Sequence, residues 1–108
     1  MKDQKFLNNY FRDLRNLINF DVNDIKKLIA IKKLFKKQNK KNKILVFGNG
    51  GSAAIASHFS VDLTKNAKVR CANYNEADLI TCFSNDFGYE KWVEKAIEYY
   101  GEQGDILV

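Results

Sequence analysis

Apolar positions recur at steps of three and four through Phe6, Leu7, Tyr10, Phe11, Leu14, Leu17 and Ile18. That spacing predicts an amphipathic helix of about four turns. Asn19-Phe20-Asp21 breaks the period, and Asp21 is placed to cap a second helix whose first turn carries Asp24. Ile25, Leu28, Ile31, Leu34 and Phe35 supply the buried side of that helix. The pairs Lys26-Lys27, Lys32-Lys33, Lys36-Lys37 and Lys40-Lys41 fill the rest of its circumference.

The pattern then changes. Ile44-Leu45-Val46-Phe47 is a continuous apolar run stopped by glycine, as expected of a parallel strand buried on both faces. Gly48-Asn49-Gly50-Gly51-Ser52 follows directly. From Ser52 to Leu63 small and apolar residues return at helical spacing, with Ala53, Ala56, Phe59 and Leu63 on the side expected to face a sheet. Val69 to Ala72 reads as a second strand, Glu76 to Phe83 as a helix, and Tyr89 to Tyr100 as another helix with Trp92, Val93, Ala96, Ile97 and Tyr100 inward. Gly101 and Gly104 end it, and Asp105 to Val108 begins a further buried strand. The expected organisation is a helical arm over residues 1–42 and an α/β unit with a parallel sheet over residues 43–108.

Composition narrows the class. The 108 residues are 45% hydrophobic and 13% aromatic, enough apolar area to offset chain entropy, which excludes intrinsic disorder. Two cysteines, Cys71 and Cys82, exclude a disulfide scaffold and are expected as buried thiols in a reducing cytoplasm. No apolar run approaches the ~18 residues a membrane span needs. Charge is divided unevenly: residues 1–43 hold 13 basic and 4 acidic groups, net +9, and residues 44–108 hold 5 and 9, net −4. A basic arm admits a nucleic-acid reading. The lysine face carries no interleaved aromatic to stack on bases, so it is read as solvated instead.

A glycine-rich turn entering a helix is a ready anion site, because the first-turn N–H groups have no intrahelical partner and the dipole favours negative charge. Ser52 is placed to cap that helix or to donate its hydroxyl to a phosphate. Walker A chemistry is excluded by the lack of a lysine at the end of the loop. A dinucleotide stays open on spacing alone, since Gly48, Gly50 and Ala53 satisfy G-x-G-x-x-A and Glu76 lies about 20 residues on. His58 and Asp62, four apart on one helical face, can bind zinc, act in proton transfer, or simply pair at the surface.

The run Gly48-Asn49-Gly50-Gly51-Ser52-Ala53-Ala54 through His58-Phe59 and Asp62-Leu63, then Ser84-Asn85-Asp86-Phe87-Gly88-Tyr89, then Gly104-Asp105-Ile106-Leu107-Val108, resembles a sugar isomerase (SIS) domain. Within that superfamily it is most similar to the phosphoheptose isomerases, which convert sedoheptulose 7-phosphate to an aldose heptose phosphate for surface-polysaccharide synthesis. The resemblance decides against the dinucleotide. It implies a three-layer α/β sandwich with a parallel sheet, incomplete here, preceded by two N-terminal helices, in a cytoplasmic homotetramer that takes a phosphosugar. By the same resemblance Asn49, Gly50, Gly51, Ser52, Asn85 and Asp86 contact substrate, Asp62 is the catalytic base, and His58 with Asp62 supplies two zinc ligands. The family usually has Glu where Asp62 stands, one methylene longer.

Members of the family continue past the position of Val108 into a Ser-rich phosphate loop and a C-terminal helix bearing Gln and His. The chain is therefore expected to represent the N-terminal part of the domain, inactive alone and marginally stable because its sheet has an open apolar edge. A non-catalytic phosphosugar-binding module is the alternative of a different class, and a lysine-arm nucleic-acid binder the third.

Overall fold

The computed structural model describes residues 1–38 and 41–108. The chain divides into two compact units, residues 1–33 and 34–108. The first holds α1 (Lys2–Leu17) and most of α2 (Val22–Lys36). Asp21 caps α2 as its position suggests: its Oδ1 accepts from the N–H groups of Asn23 at 2.7 Å and Asp24 at 2.9 Å. Asp24 returns the contact by accepting from the Asp21 N–H at 3.3 Å, a reciprocal cap that satisfies donors otherwise left open at the helix start. No residue of α1 is buried, and its apolar face from Phe6 to Ile18 is open to solvent. Lys36 is the last lysine of α2, and Lys40 of the pair Lys40-Lys41 lies outside the described residues.

The second unit is built on a parallel sheet of β1 (Ile44–Val46), β2 (Cys71–Asn73) and β3 (Ile106–Leu107) in the order β2-β1-β3. Ile44 pairs with Cys71 on one side and Ile106 on the other. The central strand is buried along its whole length, which explains the unbroken apolar run. Side chains alternate across it. Ile44 and Val46 pack with Ala56 and Val69, joined by Phe35, Leu63 and Ile106. Phe47, which shares the parity of Leu45, meets the Trp92 ring edge-on at 5.7 Å. Helices thus cover both faces: α3 (Gly51–Lys65) lies on the first, and α5 (Trp92–Tyr100), with buried Trp92 and Ala96, on the second. α4 (Ala77–Phe87) precedes a short 3-10 turn at Tyr89–Lys91 that leads into α5.

Several boundaries differ from the sequence expectation. β2 starts two residues late, because Val69 closes the α3 connection by donating its N–H to the Leu63 carbonyl at 3.0 Å. α4 runs four residues past Phe83, and the single helix expected from Tyr89 begins as a 3-10 turn. Phe59 is 37% exposed, while Ala53, Ala56, Ser60 and Leu63 form the sheet-facing stripe of α3. Cys71 is half-buried and Cys82 exposed, both free, so only the first approaches the buried thiol expected of each. Burial pushes the Cys71 thiol up to about 11, against a smaller lowering by the Ala72 backbone hydrogen bond, which leaves it an inert thiol at neutral pH.

One ion pair ties the sheet together at the start of β1. Lys43 Nζ lies 2.7 Å from Asp105 Oδ2, with side chains only 13% and 6% exposed. Asp105 also accepts from the backbone N–H groups of Lys43 and Glu102, each at 2.9 Å. Burial alone raises the Asp105 carboxyl. The hydrogen bonds from Lys43 and Glu102 and the Lys43 charge outweigh it and hold the group at about 2. No described helix is long and apolar enough to cross a membrane.

Candidate functional site

The chain leaves β1 at Val46 and reaches α3 at Gly51, so Phe47 to Gly50 form the turn at the carboxyl end of the central strand. In open parallel sheets this is the end at which ligands bind. Gly50, at φ +57°, is the N-terminal cap residue, and no side chain caps the helix. Ser52 is therefore the second helical residue and does not serve as the cap. Its N–H donates to the Asn49 carbonyl at 3.1 Å, and that of Ala53 to the Gly50 carbonyl at 3.0 Å.

The N–H groups of Gly50 and Gly51 make no hydrogen bond among the described residues. The space where a Gly51 Cβ would stand is open for at least 4 Å, and its φ lies outside the left-handed region. Nothing in the packing of the chain requires glycine there. A bare, outward-facing backbone with two free donors at a helix N-terminus suits an oxyanion. Gly48 is the opposite case, since a Cβ there would meet the Ser52 carbonyl carbon and oxygen at 2.3 Å.

Asn49 is exposed, and its Oδ1 accepts from the Tyr89 hydroxyl at 2.7 Å. With the carbonyl end engaged, the amide nitrogen of Asn49 is the end left to donate. Asn49 and Tyr89 flank a cleft of about 280 Å³ floored by Phe47 and Trp92. The Tyr89→Phe variant is expected to alter stability by less than about 1 kcal/mol, because the lost bond is exposed. It should shift the Asn49 side-chain amide resonances in NMR spectra, and unchanged resonances would show that the contact does not form in solution.

The other candidates lie apart from this loop. Asn85 and Asp86 occupy the last turn of α4, bond to each other at 3.0 Å, and do not line the cleft. His58 and Asp62 pair along α3 at 3.6 Å, 79% and 51% exposed, with Asp62 also accepting from Asn66 at 3.0 Å. Eleven residues of helix separate Asp62 from Gly51, about 16 Å along the axis. Glu76, the candidate ribose partner of a dinucleotide, instead caps α4 by accepting from the Leu79 N–H.

Zinc takes four donors in its structural sites and three protein donors in its catalytic ones. Among the described residues no three His, Cys, Asp or Glu side chains come together to hold a metal. His58 and Asp62 offer two donors and do not make a zinc site with the rest of the described residues.

Two functional-site residues escaped the sequence reading. Asn75 accepts from the Gly48 N–H at 3.0 Å and donates to the Gly48 carbonyl, and Asn73 donates to the Val46 carbonyl at 2.7 Å. Each joins positions 27 residues apart, and no local pattern marks such a pair.

Against known proteins, no family model matches the chain. It is 36% identical over 111 residues to the phosphoheptose isomerase of Glaesserella parasuis, a match that covers 96% of the chain and 53% of that protein. The chain is similar to phosphoheptose isomerases. That of Aliarcobacter butzleri is 37% identical over 73 residues, covering 62% of the chain and 39% of the relative. The chain spans about half the length, or less, of the curated phosphoheptose isomerases it matches. The structure of phosphoheptose isomerase GmhA from Neisseria gonorrhoeae superposes with a TM-score of 0.71 at 23% identity, over 99% of the chain and 59% of that protein. The α/β fold with its parallel sheet is thus the fold of that phosphoheptose isomerase.

Proposed function

We propose that the chain takes part in aldose–ketose isomerisation of a sedoheptulose 7-phosphate-type sugar, with the Gly48–Ser52 loop as a substrate-binding element. The observation that carries this reading is Gly51, a glycine with open space around its Cβ position beside two free backbone donors, in a chain similar to phosphoheptose isomerases. Isomerisation moves a proton between adjacent carbons and needs a positioned base. Asp62 is the candidate base of this chain. No step is assigned to zinc.

The homo-oligomer implied by the sequence resemblance has a physical counterpart in α1, whose exposed Phe6, Tyr10, Phe11 and Leu14 make an apolar face suited to a second copy. The reading also places the protein in the cytoplasm, where its two free cysteines stay reduced.

Conversion of sedoheptulose 7-phosphate followed by NMR tests the proposal. Turnover is expected when residues 1–108 are joined to the C-terminal half that the curated relatives carry, and not from residues 1–108 alone, with kcat reduced at least about 100-fold by Asp62→Ala. Turnover unaffected by Asp62→Ala removes Asp62 from the mechanism. Saturable binding without turnover favours the second reading, a phosphosugar-binding module, for which the observation is the well-solvated His58–Asp62 pair. Absence of both binding and turnover sinks the proposal.

A further inference from the structure

We infer that Asn75 is a positioning residue that holds the glycine loop in its ligand-ready shape, an inference that rests on the loop being the phosphosugar site. β2 ends at Asn73, so no strand backbone stands opposite Gly48. The Asn75 side chain takes that place. Its Oδ1 accepts from the Gly48 N–H at 3.0 Å and its Nδ2 donates to the Gly48 carbonyl, so that one primary amide satisfies both backbone groups of Gly48.

The clamp is itself held in place. Asn73 Nδ2 donates to Asn75 Oδ1 at 3.0 Å and to the Val46 carbonyl at 2.7 Å, while Asn73 Oδ1 accepts from the Asn75 N–H and the Ser57 hydroxyl, each at 3.1 Å. The network joins the end of β1, the end of β2 and the second turn of α3. Gly48 has no side chain with which to hold itself, and its peptide planes set the direction of the backbone that carries Asn49, Gly50 and Gly51. The free donors of the loop are aimed through Asn75, which touches no ligand itself.

The two variants Asn75→Ala and Asn75→Asp test this. Aspartate keeps the acceptor for the Gly48 N–H but, as a carboxylate, cannot donate to the Gly48 carbonyl; protonated near pH 4 it can. Amide hydrogen exchange without ligand, affinity for sedoheptulose 7-phosphate, and thermal melting are measured on each. Asn75→Ala is expected to speed exchange of the Gly48 amide while sparing Ile44 to Val46, and to weaken binding about tenfold. Asn75→Asp should match it at pH 7 and recover toward wild type, measured at the same pH, as pH falls toward about 4. A purely structural loss would lower melting while leaving the affinity of the folded variants unchanged. Exchange and affinity unchanged in both variants, or an aspartate variant as impaired at pH 4 as at pH 7, would overturn the inference. If the wild type binds no sugar phosphate while the variants still loosen the loop with the pH rescue, the substrate reading falls and the loop-fixing role of Asn75 stands.

Discussion

Asp105→Asn is expected to destabilise the protein by about 3–5 kcal/mol, the usual cost of removing one partner of a buried ion pair. Lys43, with its side chain only 13% exposed, would keep its charge without the carboxylate 2.7 Å away. An asparagine amide would also turn a donor toward either the Lys43 ammonium or the backbone N–H groups that Asp105 now accepts from. The melting midpoint should fall by more than about 10 °C at neutral pH. The pH dependence follows from the same pair. The folded-state value of about 2 lies below the usual carboxylate value near 3.8, so the folded state binds fewer protons than the unfolded one between them. Asp105's contribution is complete above about pH 4 and is lost as pH falls through about 2. Denaturant midpoints taken from pH 5 to pH 2 should drop in the wild type and stay much flatter in Asp105→Asn. Equal slopes would show that the pair does not govern acid stability.

Gly48→Ala carries the second large effect. Its Cβ would lie 2.3 Å from the Ser52 carbonyl and 2.6 Å from the Ala53 nitrogen, all backbone atoms that no rotamer change can move aside. The first turn of α3 must be displaced from the end of β1. Overpacking of this kind costs about 1–3 kcal/mol in stability, and a displacement on the order of 1 Å in a positioning element costs about 100-fold in function. Sugar-phosphate affinity is therefore expected to fall far more than stability. A folded Gly48→Ala protein with wild-type affinity would show that the loop does not position the ligand.

The features legible in the sequence are those written locally. The unbroken Ile44–Phe47 run announced a strand buried on both faces, the three-and-four spacing from Phe6 to Ile18 announced α1, and Asp21 announced the start of α2. The glycine loop was visible because glycine is conspicuous where a strand meets a helix. Its internal geometry was not: Ser52 looked like a cap, but Gly50 at φ +57° lets the helix begin at Gly51 and puts Ser52 inside it. The end of α4 is a similar case: the apolar spacing ends that helix at Phe83, yet α4 runs on through Phe87 and carries Asn85 and Asp86 on its last turn. Least legible were the side-chain ties between distant segments. Asn75 to Gly48 and Lys43 to Asp105 join positions 27 and 62 residues apart, and polar residues in connecting segments give no periodic sign of what they will meet.

Titration calorimetry with sedoheptulose 7-phosphate, run on the wild type and on Gly48→Ala, tests the central claim that the loop at the end of β1 holds a phosphosugar. Saturable binding that inorganic phosphate competes away and that Gly48→Ala weakens about 100-fold is the predicted result. No saturable binding by the wild type, or equal binding by a folded Gly48→Ala protein, would contradict it.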